Sequence, residues 1–174
     1  MMEKSVLWIS ANNKCFASNI LGEFEKRGIN SSRIVFAKRE ELMADHLARY
    51  SLADVFLDTH PYNAHTTAVD SLKMGIPVIT LVWQSFASRV AASLLNAINV
   101  PELITNTEEE YESLAIDLAM NPQKLAGIKQ RLTNNRLTTA LFDTPLFTKN
   151  LEAAYAQMMQ RHQADLQPDH ISIV

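Results

Sequence analysis

Short apolar runs alternate with stretches of helical period along the first two-thirds of the chain. Val6-Leu7-Trp8-Ile9 reads as a buried strand, and Ile34-Val35-Phe36, Val55-Phe56-Leu57 and Val78-Ile79-Thr80-Leu81 as three more. Leu103-Ile104 reads as a last short one. Between them, Ile20, Leu21 and Phe24 recur at helical spacing within Asn19 to Arg27, and Gly28 stops that helix. Leu42 to Tyr50 reads as a short helix, and Phe86 to Ile98 as one rich in small residues. A further helix opens near Thr66-Thr67 and closes at Gly75-Ile76-Pro77. Strands and helices in this alternation predict an α/β fold, a parallel sheet covered on both faces.

After Thr105 the pattern becomes helical. Thr107-Glu108-Glu109-Glu110 is a capping box with acidic residues in the first turn, opening a helix to about Met120. Pro122 starts another, to about Leu137, and a third runs from about Pro145 to Gln163. Leu146, Leu151, Tyr155 and Met158-Met159 lie on one side of the third, and core packing is the expected role of that stripe. The expected organisation is a Rossmann-like lobe over residues 1–105, a C-terminal helical extension over 106–163, and a flexible polar tail over 164–174.

Composition narrows the classes. The 174 residues are 47% hydrophobic and 20% charged with net charge −3, which fits one soluble globular domain. The mildly acidic balance gives no electrostatic case for nucleic acid or an anionic membrane. No apolar run approaches the roughly 18 residues of a spanning helix, and Met1-Met2-Glu3-Lys4 lacks a signal-peptide core. Cys15 is the sole cysteine, so no internal disulfide forms and a cytoplasmic location is expected. The histidines lack metal-ligand spacing and no Asp-x-Asp pair occurs, so no metal and no cofactor is expected.

Chemistry concentrates in Asp58-Thr59-His60-Pro61-Tyr62-Asn63-Ala64-His65-Thr66-Thr67-Ala68-Val69-Asp70: strand end, tight loop, helix start. Two hydroxyls and free N–H groups at a helix N-terminus suit an anion, most often phosphate, and His65 adds a donor. The plainer reading is that Thr66 or Thr67 caps the helix. Asp70 either favours the helix dipole or receives hydroxyl groups. In Asp45-His46-Leu47-Ala48-Arg49, His46 and Arg49 share one helical face. They are either a solvated surface or an imidazole and a guanidinium for a nucleobase. All these residues lie in or after loops at the carboxyl ends of predicted strands, where parallel α/β sheets bind ligands.

Three motifs carry a family resemblance: Leu52-Ala53-Asp54-Val55-Phe56-Leu57-Asp58-Thr59, then Pro61-Tyr62-Asn63-Ala64-His65-Thr66-Thr67, then Phe86-Ala87-Ser88-Arg89-Val90-Ala91-Ala92-Ser93. Together they resemble the C-terminal catalytic lobe of the O-linked N-acetylglucosamine transferase (SPINDLY-type) family, over Val6 to about Met159. The resemblance implies the UDP-binding second lobe of a GT-B type transferase. That enzyme moves N-acetylglucosamine, or another sugar, from a UDP donor to a Ser or Thr hydroxyl, with inversion and without metal. It implies that His46 and Arg49 contact uracil, that Thr66 and Thr67 hold the pyrophosphate with His65 in the same UDP-binding loop, and that Asp70 binds the ribose hydroxyls. Ser85 and Arg89 fall in a possible sugar or phosphate pocket, and no catalytic base is assigned.

The chain also departs from the family pattern. Met43 stands where animal members carry a ribose-binding lysine, and Trp83-Gln84-Ser85 stands where Gly-Glu-Thr is frequent. The hydroxyl of Ser85 is expected to replace the threonine as a helix cap. The lobe's first strand is expected to be missing. Val6-Ile9 and Val55-Leu57 are then expected to pair directly or to take a strand from another chain, by self-association. A protein or peptide acceptor needs the family's N-terminal lobe. The rival readings are a non-catalytic, truncated nucleotide-binding or interaction module and, less well matched, a nucleotide-sugar epimerase lobe.

Overall fold

The computed structural model describes residues 5–11 and 13–173. Met1-Met2-Glu3-Lys4, Asn12 and the final residue of the expected tail, Val174, lie outside the described residues. The chain divides into two compact units, Met1–Tyr50 and Ser51–Val174.

The first unit contains β1 (Leu7–Ser10), α1 (Lys14–Lys26), β2 (Ile34–Ala37) and α2 (Met43–Ala48). β1 and β2 run parallel, with Leu7 opposite Ile34 and Ser10 opposite Ala37. α1 begins at Lys14, five residues before the expected start at Asn19. The reason is Asn13, whose side-chain oxygen accepts the backbone N–H of Phe16 at 2.7 Å. A 3-10 turn at Ser31–Arg33 leads into β2, and Arg33 donates to the carbonyl of Ser5 at 2.9 Å and to its hydroxyl at 2.6 Å.

The second unit contains β3 (Phe56–Leu57), α3 (Thr66–Lys73), β4 (Val78–Leu81), α4 (Val90–Ala97), β5 (Ile104–Thr105), α5 (Glu108–Met120), α6 (Pro122–Asn135) and α7 (Thr144–Gln163). Its sheet is parallel in the order β3-β4-β5. β4 is the middle strand and all four of its residues are buried, the polar Thr80 among them. Leu72, Val78, Ile79, Leu95, Ile98, Val100, Leu103, Leu118, Ile128 and Leu132 form one core cluster. α3 closes on Gly75 at φ +77°, where the N–H of Ile76 returns to the carbonyl of Ser71 at 2.9 Å. The predicted capping box is present: Thr107 Oγ1 accepts from the N–H of Glu110 at 3.2 Å, and the Glu110 carboxylate accepts from that of Asn106 at 2.8 Å.

One expectation changes. The stripe on α7 is not core: none of its residues is buried, and Tyr155, Met158 and Met159 stay more than half exposed. Leu118 of α5 and Ile128 and Leu132 of α6 already fill the helical side of the core. Residues 164–173 have no regular structure, and Arg161 of α7 donates to the carbonyl of Gln167 at 2.6 Å. Among the described residues, no helix is long and apolar enough to cross a membrane.

Candidate functional site

In the first unit, the end of β1, the segment after β2 and α2 border an open groove of about 440 Å³. Ser10, Arg39, Met43, His46 and Arg49 line it. Arg49, immediately after α2, is fixed three ways. It donates to the carbonyl of Lys38 at 2.7 Å and meets His46 Nδ1 at 2.8 Å, and its guanidinium lies 5.9 Å from the Trp8 ring centroid. A guanidinium has only donors, so Nδ1 of His46 accepts and the ring carries its proton on Nε2. Tyr50 meets the His46 ring edge-on at 5.5 Å. The spacing therefore does bring His46 and Arg49 together, with Met43 exposed beside them.

In the second unit the loop between β3 and α3 is organised by Asp58, to which the sequence reading gave no role. Its carboxylate is buried and accepts from the N–H of Thr59 at 2.9 Å, the N–H of Ala64 at 2.6 Å and the hydroxyl of Thr80 at 2.6 Å. Burial pushes this carboxyl above the usual range, against the opposing pull of the bonds from Thr80, Ala64 and Thr59. The phenol of Tyr111 donates to the Asp58 carbonyl at 2.8 Å, and burial pushes that phenol well above its ordinary value. An aspartate at a strand end followed by turn residues was the available signal.

Asn63, also buried, donates through Nδ2 to the carbonyl of Thr59 at 2.9 Å, and its N–H reaches the carbonyl of Ala87 at 3.3 Å. The loop between β3 and α3 is thereby tied to the one between β4 and α4. Within the latter, the Ser85 hydroxyl accepts the N–H of Ser88 at 3.2 Å. Ser85 thus caps that turn and not α4, whose N-cap position is Arg89 with an exposed side chain. α4 begins at Val90 for this reason, four residues later than its composition predicts.

The start of α3 resolves the capping question. Thr66 and Thr67 occupy the first helical positions, both exposed, and the N-cap position is His65, which makes no side-chain capping hydrogen bond. The His65 ring stacks on Tyr62 at 5.2 Å, and its Nε2 is buried without a partner. Asp70 lies one turn into the helix, half-buried. Among the described residues, no three His, Cys, Asp or Glu side chains gather as a metal ion would require.

Parallel strands, helical crossovers and a ligand-type loop at the strand ends define an α/β lobe of the GT-B glycosyltransferase type. Residues 1–151 match the family model described as glycosyl transferase family 41. The chain belongs to that family. It is 38% identical to a Caenorhabditis elegans UDP-N-acetylglucosamine–peptide N-acetylglucosaminyltransferase, over 97% of this chain and 15% of that protein. It is 40% identical to a probable enzyme of the same description from Arabidopsis thaliana, SEC, over 85% of this chain and 15% of that protein. Among solved structures, an O-GlcNAc transferase mutant (K341M) of Thermobaculum terrenum superposes with a TM-score of 0.81 at 33% identity, covering 88% of this chain and 30% of that one. The chain spans about 15% of the length of the curated relatives it matches.

Proposed function

We propose that this chain is the UDP-sugar-binding part of a protein O-linked N-acetylglucosamine transferase, inverting and metal-independent. The observation that carries the reading is the start of α3. Thr66 and Thr67 present exposed hydroxyls at a helix N-terminus that no side chain caps, inside the stretch matched to the family.

The roles follow from chemistry. Backbone N–H groups and the two hydroxyls donate to the diphosphate and stabilise UDP as it leaves, where a metal would otherwise neutralise charge. The unpartnered Nε2 of His65 is a ring nitrogen that a bound anion would satisfy. Asp70, one turn on, accepts from the ribose hydroxyls. In the first unit, the groove beside His46 and Arg49 takes the uracil: the ring offers its Nε2 proton, and the guanidinium is held in place by Lys38 and His46. Arg89 is free to meet a phosphate or the sugar, whereas Ser85 contributes through its turn. No residue of this chain is assigned as the catalytic base. The acceptor is a protein or peptide hydroxyl met by the family's other lobe, and the setting is the cytoplasm, in keeping with a single cysteine.

Calorimetry with UDP, CDP and ADP in the presence of a chelator tests the reading. UDP is expected to bind best and to need no added metal. Equal binding of the three, or binding only with a divalent ion, contradicts it.

A further inference from the structure

The two loops that follow β3 and β4 expose more aromatic surface than a nucleotide reading employs. Tyr62 is 66% exposed, Trp83 54% and Phe86 75%. Each contacts a histidine of the loop between β3 and α3. Tyr62 stacks on the His65 ring at 5.2 Å and 20°, and Phe86 meets that same ring edge-on at 6.3 Å. Trp83 meets the ring of His60 at 5.8 Å and 83°. The hydrogen bonds from Asn63 to Ala87 and from Trp83 to the carbonyl of Ser88, both 3.3 Å, hold the loops that carry them. The rings are therefore held in place and still open to solvent.

We propose that Tyr62, Trp83 and Phe86 form a stacking platform for the hexose of a nucleotide-sugar donor. The proposal rests on the assignment of Thr66 and Thr67 to the diphosphate. A pyranose has faces of C–H groups that pack on aromatic rings, and sites for small ligands are lined by such rings beside a few fixed polar groups. In a nucleotide sugar the hexose hangs from the terminal phosphate. Here Tyr62 and Phe86 contact His65, the residue that immediately precedes Thr66 in the chain, and Trp83 contacts His60 of the same loop. Scattered exposed apolar residues need no explanation, but three aromatic rings on two tied loops at the carboxyl ends of neighbouring parallel strands are a localised group.

The test compares UDP with UDP-N-acetylglucosamine and UDP-glucose by calorimetry on the full 174-residue protein and on the Trp83→Ala, Trp83→Phe and Phe86→Ala variants. These side chains are exposed, and circular dichroism verifies that each variant folds. The parent is expected to bind at least one UDP-sugar about tenfold more tightly than UDP. Trp83→Ala and Phe86→Ala are expected to abolish most of that difference with UDP affinity unchanged, and Trp83→Phe to retain part of it. Equal affinity of the parent for UDP and both UDP-sugars overturns the platform while leaving the diphosphate assignment intact. So does a preference that survives both alanine variants. A parent that binds none of the three overturns the diphosphate assignment, and the platform with it.

Discussion

The carboxylate of Asp58, at the end of β3, accepts the hydroxyl of Thr80 on the neighbouring strand β4 at 2.6 Å, with both residues buried. The same carboxylate receives the N–H of Ala64 at the far side of the loop, so one side chain fixes strand, loop and the approach to α3 together. Asp58→Ala would strand three donors, two of them backbone N–H groups. A loss of about 2–4 kcal/mol in urea unfolding is expected. Asp58→Asn keeps an acceptor for the N–H groups and can donate to Thr80, so it is expected to cost about 1 kcal/mol or less.

Asp58 also predicts a pH dependence. Burial raises its folded-state pKa above the unfolded value, so the native state holds the proton more tightly. Its contribution therefore makes the fold more stable as pH falls through the folded pKa toward the unfolded one, and less stable as pH rises through that window. The difference in unfolding free energy between parent and Asp58→Asn, followed by urea titration from acid to neutral pH, is expected to shift in that sense. A difference independent of pH contradicts it.

Much of this was legible in advance. The apolar runs located every strand to within a residue or so, because buried parallel strands need continuous apolar stretches. Glycine, proline and the capping box marked helix ends closely. Side chains that bind locally moved the other boundaries: Asn13 extends α1, and Ser85 delays α4. The pairing of His46 with Arg49 followed from helical spacing, whereas the partners of the Asp58 carboxylate lie up to 22 residues away and have no local signature. The stripe on α7 misled because periodicity reports an apolar face and not what covers it.

Tyr111 joins α5 to the same loop through a single neutral hydrogen bond to the Asp58 carbonyl. Tyr111→Phe keeps the ring and loses the bond, at an expected cost of about 1 kcal/mol in chemical denaturation. A change well below the ~1 ± 0.5 kcal/mol typical of such bonds would show that the contact contributes little.

Arg49 predicts the tautomer of its neighbour. Nitrogen NMR of the His46 ring is expected to show a proton on Nε2 and an accepting Nδ1. Arg49→Lys cannot reach Lys38, His46 and the Trp8 ring with one planar group, so it should release that tautomer preference and weaken UDP binding about tenfold. An unchanged His46 spectrum in the variant contradicts the arrangement.

The central claim is that the uncapped start of α3 holds a diphosphate through Thr66 and Thr67. Calorimetric titration of UDP into the parent and into the Thr66→Ala/Thr67→Ala double variant tests it most directly. Each hydroxyl donating to a charged oxygen contributes roughly 1.5–3 kcal/mol, so the double variant should lose UDP binding almost entirely while keeping its circular dichroism. A double variant that binds UDP as the parent does, or a folded parent that binds none at millimolar nucleotide, contradicts the account.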